Sequence, residues 1–260
     1  MTYETIKVDE AAPGVTVLAF NRPEAANALS TQMGRELLDV WSKLRADEAL
    51  RCVILRGEGK HFQAGADLKE RNGMTDEAWA DQHRLFEAMI RAQLACPVPV
   101  IAAVQGAAMG GGCEMTLAAD FAYAAEGARF GLPEAGLGIL PGLGGTQLLT
   151  RAVGPRRAIE LLTTAAPFTA DQALAWGLVS GVVPADRLME TVLGVAGVIA
   201  SKAPLSVRGA KRVVHGGQDL DLARAMDLEL TVYNHLFTTQ DRREGVASFN
   251  EKRTPKFEGR

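Results

Sequence analysis

Cysteine is scarce in this 260-residue chain, at three residues, and histidine nearly as scarce, at four. Cys52, Cys96 and Cys113 are odd in number, widely spaced and set in apolar runs, which fits reduced core thiols and not a disulfide framework. His61, His83, His215 and His235 lie too far apart for a local metal box such as HExxH. No metal site is therefore expected, and each histidine is read as structural or surface. Long apolar runs are missing too: the most apolar window, Val98 to Met109, is well short of the ~20 residues that span a bilayer. Positive charge is not in excess, with 28 Lys+Arg against 31 Asp+Glu and a sequence pI near 5.9. Phosphate binding needs a basic stripe that survives counterion competition, so a nucleic-acid partner is not expected. The N-terminus, MTYETIKVDE, is acidic without an apolar core, and the end, KFEGR, is neither an SKL-type address nor a prenylation box. These features predict a cytoplasmic protein with no membrane partner.

Several motifs are absent as well. No GxxxxGK[ST] occurs, and the best dinucleotide-like window has Pro141 after Gly136 and Gly138, where a third glycine should follow. Proline there removes both a close helix approach and a backbone N–H. No GxSxG elbow supports a serine hydrolase. What the chain has in excess is glycine: 27 residues, or about 10% against a usual ~7%. At this length a single unit buries roughly three quarters of its unfolded surface, so no staple is required.

The pattern along the chain is α/β. Val15 to Phe20 (VTVLAF), Cys52 to Arg56 (CVILR) and Pro99 to Val104 read as buried strands ending at turn signals. Between the first two, Met33, Leu37, Val40, Trp41 and Leu44 recur at helical spacing, with Ser30 as N-cap. Phe121 to Leu143 shows short strands and turns. From Thr146 onward the period is helical: Pro155 suits a helix N1 position, and Thr169 with Gln172 makes a capping box for a helix stopping at Gly177. Later helices are expected over about Ala185 to Lys202, Pro204 to His215 and Asp219 to Phe237.

The glycines and two glutamates carry the chemistry. In GGGCE, Gly110 to Glu114, three glycines precede a helical run. Such a run can serve close packing of helix on strand. It can equally let a substrate carbonyl reach the free N–H of Gly111, where unpaired amides and the helix dipole stabilise developing negative charge. A second donor is offered by HFQAGAD, His61 to Asp67: small residues expose the Ala66 N–H, and Asp67 caps the helix that follows. Glu114 follows Gly111 by three residues, inside an apolar run, and Glu134 sits in the apolar, glycine-rich FGLPEAGLG. Two carboxyls in apolar surroundings push one pKa upward and give one acid and one base at neutral pH.

At these residues the chain resembles the crotonase (enoyl-CoA hydratase/isomerase) superfamily. The segments are NRPEAANALS (Asn21 to Ser30), FQAGADLKE (Phe62 to Glu70), PVIAAVQGAAMGGGCEMTLAADF (Pro99 to Phe121), FGLPEAGLGILPGLGGTQ (Phe130 to Gln147) and FNEKR (Phe249 to Arg253). The resemblance implies an α/β core spanning residues 1–195, a spiral of repeated ββα units. It also implies a helical C-terminal oligomerisation region, 196–260, that builds trimers, usually paired into hexamers. It implies an acyl-CoA thioester substrate, with coenzyme A part of the substrate and no separate cofactor. Ala66 and Gly111 would form the oxyanion hole, with Glu114 as base on water and Glu134 as proton donor to the α-carbon. Ala25, Ala28, Ala64, Asp67, Leu68 and Lys69 would surround the CoA, and Phe249 and Lys252 would reach the CoA of an adjacent subunit.

AGADLKER (Ala64 to Arg71) and TTQDRREGVASFNEKRTPKFEGR (Thr238 to Arg260) resemble the branch that contains 3-methylglutaconyl-CoA hydratase, including its AU-rich-RNA-binding member. The lysine face that binds RNA in that member is not reproduced in MGRELLDVWSKLRADEALR, where acids interleave. The resemblance leaves open a methylglutaconyl-type hydratase, a Δ3,Δ2-enoyl-CoA isomerase and a non-catalytic CoA- or RNA-binding homologue beside the leading reading, an enoyl-CoA hydratase. Residues Asn72 to Gln93, which help line the acyl pocket in this superfamily, match no specific pattern.

Overall fold

Two strands, β1 (Ile6–Ala12) and β2 (Val15–Phe20), pair antiparallel and open a six-stranded sheet in the computed structural model, which describes residues 3–260. Helix α1 (Thr31–Ala46) follows, its first turn capped by Ser30 Oγ, which accepts from the Met33 N–H at 3.2 Å. Next come β3 (Cys52–Gly57), α2 (Leu68–Arg71) and α3 (Asp76–Leu94), then β4 (Val100–Val104), β5 (Ala107–Met109) and α4 (Gly111–Leu117). The chain continues through β6 (Phe121–Ala125), β7 (Arg129–Gly131), a 3-10 turn at Pro133–Leu137, α5 (Gly145–Val153) and α6 (Pro155–Thr164). Then follow β8 (Phe168–Thr169), α7 (Ala170–Ala175), β9 (Gly181–Val183) and the helices α8 (Leu188–Ala200), α9 (Pro204–Gly217), α10 (Leu222–Leu236) and α11 (Gln240–Glu251).

The large sheet has the order β1-β2-β3-β4-β6-β9, parallel from β2 onward, and a small sheet has the order β5-β7-β8. A repeat underlies the two sheets. Each unit places its first strand in the large sheet, crosses to a short second extended segment, and returns through a helix. In β4-β5-α4 and β6-β7-α5 the second segment is a strand of the small sheet. In the two earlier units it shrinks to single parallel bridges, Leu29 with Ala66 and Gln63 with Ala108. The segment around Ala64 is thus extended backbone held by one bridge at Gln63 and one at Ala66. The ββα spiral that the sequence resemblance implied is the observed architecture.

Strand β3 shows why these segments are continuous apolar runs. Cys52 and Ile54 face one hydrophobic cluster, Val53 and Leu55 the other, so both faces are covered. One face is closed by α8, whose Leu188, Val192 and Ala196 recur at i, i+4 and i+8 and pack with Ile54, Ile101 and Ala103. Helix α8 therefore crosses the expected division between residues 195 and 196. Ile199 and Ala200 in its last turn still pack against the same cluster.

Other boundaries differ from expectation. The helix expected from Ala185 starts as a 3-10 turn and becomes α-helical at Leu188; the one expected from Asp219 starts at Leu222, capped by the Asp221 carboxylate. Strand β1, helix α3 and helix α11 are elements that the apolar pattern did not announce. Helices α9 and α10 pack on each other, and Lys211 ties α9 to the core through Asp120 Oδ2 at 2.7 Å and the Val98 carbonyl at 2.9 Å.

Candidate active site

The repeat delivers two backbone amides to one place. In a parallel bridge, one residue supplies both hydrogen bonds and the residue opposite turns its own N–H away. Leu29 does the bonding against Ala66: its N–H donates to the Gly65 carbonyl at 2.8 Å, and its carbonyl accepts from Asp67 at 3.0 Å. Ala66 is left with an unpaired N–H. Gly111 opens α4, where first-turn amides have no helical acceptor. Among the described residues neither amide has a hydrogen-bond partner, and both residues line a cavity of about 540 Å³.

The two strips of backbone meet at glycines. Gly65 has φ +95°, and a Cβ there would lie 3.1 Å from the Met109 carbonyl and 3.7 Å from the Gly111 nitrogen. Gly110 caps α4 with φ +51°, and a Cβ there would lie 3.1 Å from Glu134 Oε1. Side chains at either position would strain the backbone and crowd the amides.

Both glutamates open on the same cavity. Glu114, on α4, is only 2% exposed, and its Oε1 accepts from the Leu143 N–H at 2.7 Å and the Gly145 N–H at 2.8 Å. Burial pushes its pKa up to about 7 against the pull of those two amides, and the neighbouring Glu134 carboxyl adds to the rise. Glu134 stands in the 3-10 turn begun by Pro133 and is 8% exposed. Its Oε2 has no hydrogen-bond partner, and burial raises its pKa as well. A carboxyl bonded by two amides favours its charged form, whereas one with an orphaned oxygen favours keeping a proton. The arrangement can hold a carbonyl oxygen on two amides while two carboxyls of opposite protonation exchange protons beside it. Among the described residues no cluster of three His, Cys, Asp or Glu side chains could hold a metal ion.

A protein-family model described as enoyl-CoA hydratase/isomerase matches residues 10–260. The chain belongs to the enoyl-CoA hydratase/isomerase family. It is 42% identical to the crotonyl-CoA hydratase of Syntrophomonas wolfei, covering 99% of each chain. It is 40% identical to the short-chain-enoyl-CoA hydratase of Clostridium acetobutylicum, covering 94% of each. The crystal structure of enoyl-CoA hydratase from Bacillus anthracis superposes with a TM-score of 0.97 at 42% identity, covering 99% of this chain and 100% of that one.

In this family member, Ala64 and Leu68 line the cavity with Ala66, Gly111, Glu114 and Glu134, whereas Ala25, Ala28, Asp67 and Lys69 do not. Ala25 and Ala28 flank a left-handed pair, Ala26 and Asn27, at φ +50° and +57°. The buried Asn27 amide locks that loop, donating to the carbonyls of Glu58 at 2.9 Å and His61 at 2.8 Å. The Asp67 carboxylate is taken up by capping α2 and by an ion pair with Arg22 at 3.0 Å. Lys69 is exposed, and so are Phe249, near the end of α11, and Lys252, its left-handed C-cap.

The resemblance expected Asn72 to Gln93 to help line the acyl pocket without singling out a residue, and the cavity shows which of them do. Arg71 of α2 and Trp79, His83 and Phe86 of α3 form one side, and Leu137, Ile139 and Leu140 another. His83 thus lies at the cavity, contrary to its reading as structural or surface. Trp79, Gln82, His83 and Phe86 keep i, i+3, i+4, i+7 spacing, which is the signal that marks this face.

Proposed function

We propose that the protein hydrates a trans-2-enoyl-CoA by syn addition of water, giving a 3-hydroxyacyl-CoA. The observation that carries this reading is the pair of unpartnered amides, Ala66 and Gly111, in one cavity with two buried carboxyls. The thioester oxygen would accept from both amides. Glu114, in its ionised form and with Oε1 fixed by the Leu143 and Gly145 amides, takes a proton from water as its oxygen bonds to C3. Electron density moves onto the thioester oxygen as an enolate, which the amides stabilise. Glu134, the carboxyl with an unpartnered oxygen, gives its proton to C2. Proton transfer between the two carboxyls and solvent restores the starting state. The names of the relatives, crotonyl-CoA hydratase and short-chain-enoyl-CoA hydratase, support the same reading.

Coenzyme A belongs to the substrate, and the reaction as drawn uses no separate cofactor or metal. We assign the CoA to the face formed by Ala25, Ala28, Ala64, Asp67, Leu68 and Lys69, with Asp67 contributing backbone. Phe249 and Lys252 are assigned to the CoA of a neighbouring subunit. Helix α10 supports assembly: Leu222, Met226, Leu230, Tyr233 and Phe237 form an exposed apolar stripe at helical spacing. Our reading is a homo-oligomer, a hexamer made of two trimers, working in the cytoplasm in fatty-acid metabolism without nucleic-acid or membrane partners. Among the described residues no single helix is long and apolar enough to cross a membrane.

Loss of the conjugated enoyl-thioester absorbance on adding crotonyl-CoA tests the proposal. Appearance of that absorbance from a 3-enoyl-CoA, without hydration, would assign an isomerase instead. CoA binding with no change in either would assign a non-catalytic homologue.

A further inference from the structure

A second cavity, of about 550 Å³, opens between α9, α10 and the turn that follows α3, and no residue lines both it and the acyl cavity. Leu94, Pro97, Leu205, Val232 and Leu236 give it apolar walls. Five basic side chains share the lining, Arg208, Lys211, Arg212, His215 and His235, and no Asp or Glu does. In a chain of net charge −3, this is a local reversal of sign. Lys211 and His215 share one carboxylate, Asp120, at 2.7 Å each, and Asp120 itself stands outside the wall. Among the described residues the other three have no acidic partner. A terminal nitrogen of Arg208 donates to the carbonyls of Asp47 at 3.3 Å and of Glu48 and Leu50 at 3.2 Å, while its buried Nε has no acceptor. Those neutral carbonyls fix the guanidinium without cancelling its charge. The Arg212 and His235 side chains make no hydrogen bond or ion pair among the described residues.

We propose that this cavity binds an apolar monocarboxylate, the chemistry of a medium-chain fatty acid. Its volume lies within the roughly 300–1,000 Å³ of small-molecule sites, and an apolar lining with a few convergent polar groups is their usual composition. A carboxylate would meet Arg208, Arg212 and His235 with charge-assisted hydrogen bonds, and its hydrocarbon would cover the leucines, Pro97 and Val232. A nucleotide fits less well, because no Phe, Tyr or Trp in the lining offers a base a stacking platform. A dianionic phosphate fits less well too. Leu94 ends α3 and Leu236 ends α10, so the negative ends of two helix dipoles meet at the cavity and favour a single negative charge over two. Those helix ends account for His235, in the last turn of α10, but not for Arg208 and Arg212, which stand in the middle of α9 and donate to neither helix. The cavity is also turned away from the exposed stripe of α10: a Cβ on Gly209 would lie 3.0 Å from Val232 Cγ1, so Val232 faces α9 while Tyr233 faces solvent.

Calorimetric titration of the full chain with octanoate, octanol and inorganic phosphate separates the charge from the hydrocarbon. Octanoate should bind at least about tenfold more tightly than either of the others, since only it satisfies both parts of the wall. Arg212→Met and His235→Gln remove exposed side chains that hold nothing else, and each should weaken octanoate by about tenfold, the scale of one hydrogen bond to a charged group. Neither should change the KM for crotonyl-CoA. Octanol binding as tightly as octanoate would make the cavity an apolar groove only, and phosphate binding as tightly would make it a simple anion site; either result overturns the proposal. Octanoate binding that is unchanged in both variants and is competed by crotonyl-CoA would place it in the acyl cavity and overturns it as well. So does the absence of any octanoate binding, the result expected were a second copy of the chain to close the cavity.

Discussion

The side-chain carbonyl of Gln63 accepts a hydrogen bond from the Gly65 N–H at 2.7 Å, next to the Ala66 amide that lines the cavity. Gln63 is fully buried, and its main chain bonds to both sides of Ala108, donating to the Ala107 carbonyl and accepting from Met109, each at 3.0 Å. A Cβ on Gly112 would collide with the Gln63 carbonyl, so the glutamine also abuts the residue after Gly111. Through its main chain and its side chain, one residue therefore joins the two strips of backbone that carry the unpaired amides.

Gln63→Met keeps the volume and removes the acceptor, leaving the Gly65 N–H unsatisfied. We expect kcat to fall about 10- to 100-fold, the usual effect of misplacing a reacting geometry by an ångström, with a much smaller change in KM. Gln63→Glu retains an acceptor oxygen, and Nε2 has no partner to lose, so this variant should recover most of kcat. Equal loss in both variants would make Gln63 a packing residue only.

Gly111 allows its amide to be tested separately from its space. A Cβ there would meet Leu143 Cδ1 at 3.5 Å and nothing nearer, an ordinary contact. Gly111→Ala should therefore retain most activity. Gly111→Pro removes the N–H at the first helical position, where proline fits the backbone. It should lower kcat by about 100- to 1000-fold, the cost of one oxyanion-hole donor. Similar rates in the two variants would mean that this amide does not carry enolate charge.

Glu134→Gln preserves shape and hydrogen-bonding capacity but cannot deliver a proton to carbon. Hydration should drop by at least about 100-fold, the lower end of the range for losing a positioned acid or base, while binding of an acyl-CoA product, measured by calorimetry, stays within a few-fold. Near-normal turnover in the purified variant would sink the assignment of Glu134.

Residues whose role depends on local backbone were legible in the sequence. Gly111, Ala66, Glu114 and Glu134 announce themselves because glycine runs and lone acids stand out within a few neighbours. Helix α3 was not legible, although its buried residues 82, 86, 89, 90 and 93 keep the same spacing as the buried face of α1. Two of those five are glutamines: Gln82 bonds Thr31 and Arg71, and Gln93 donates to the Met115 carbonyl at 2.9 Å. Their polarity is satisfied only by residues distant in sequence, so the apolar period breaks where tertiary partners mend it. Arg71 was hidden for the same reason. In AGADLKER it reads as a solvated helix end, and its aromatic neighbours come from α3, whose apolar period those glutamines interrupt. Strand β1 and helix α11 bury one and two residues respectively, too few to leave any pattern.

The raised pKa of Glu114 ties stability to pH. With a folded value of about 7 against an ordinary 4.5, the native state binds this proton more tightly than the unfolded chain does. The contribution is full below about pH 4.5 and is lost as pH rises through about 7, an effect on the order of 3 kcal/mol. Glu134 is shifted in the same direction and adds to it. Glu114→Gln has no carboxyl to ionise, so its urea midpoint at pH 8 should exceed that of the parent at matched protein concentration. At pH 5 the advantage should vanish, because the parent carboxyl is then neutral as well. Activity runs the other way: kcat/KM of the parent should rise with pH through about 7, as Glu114 becomes a base. The same ionisation would therefore switch catalysis on and cost stability. A parent whose unfolding midpoint does not change from pH 5 to pH 8 would show that Glu114 ionises at an ordinary pKa.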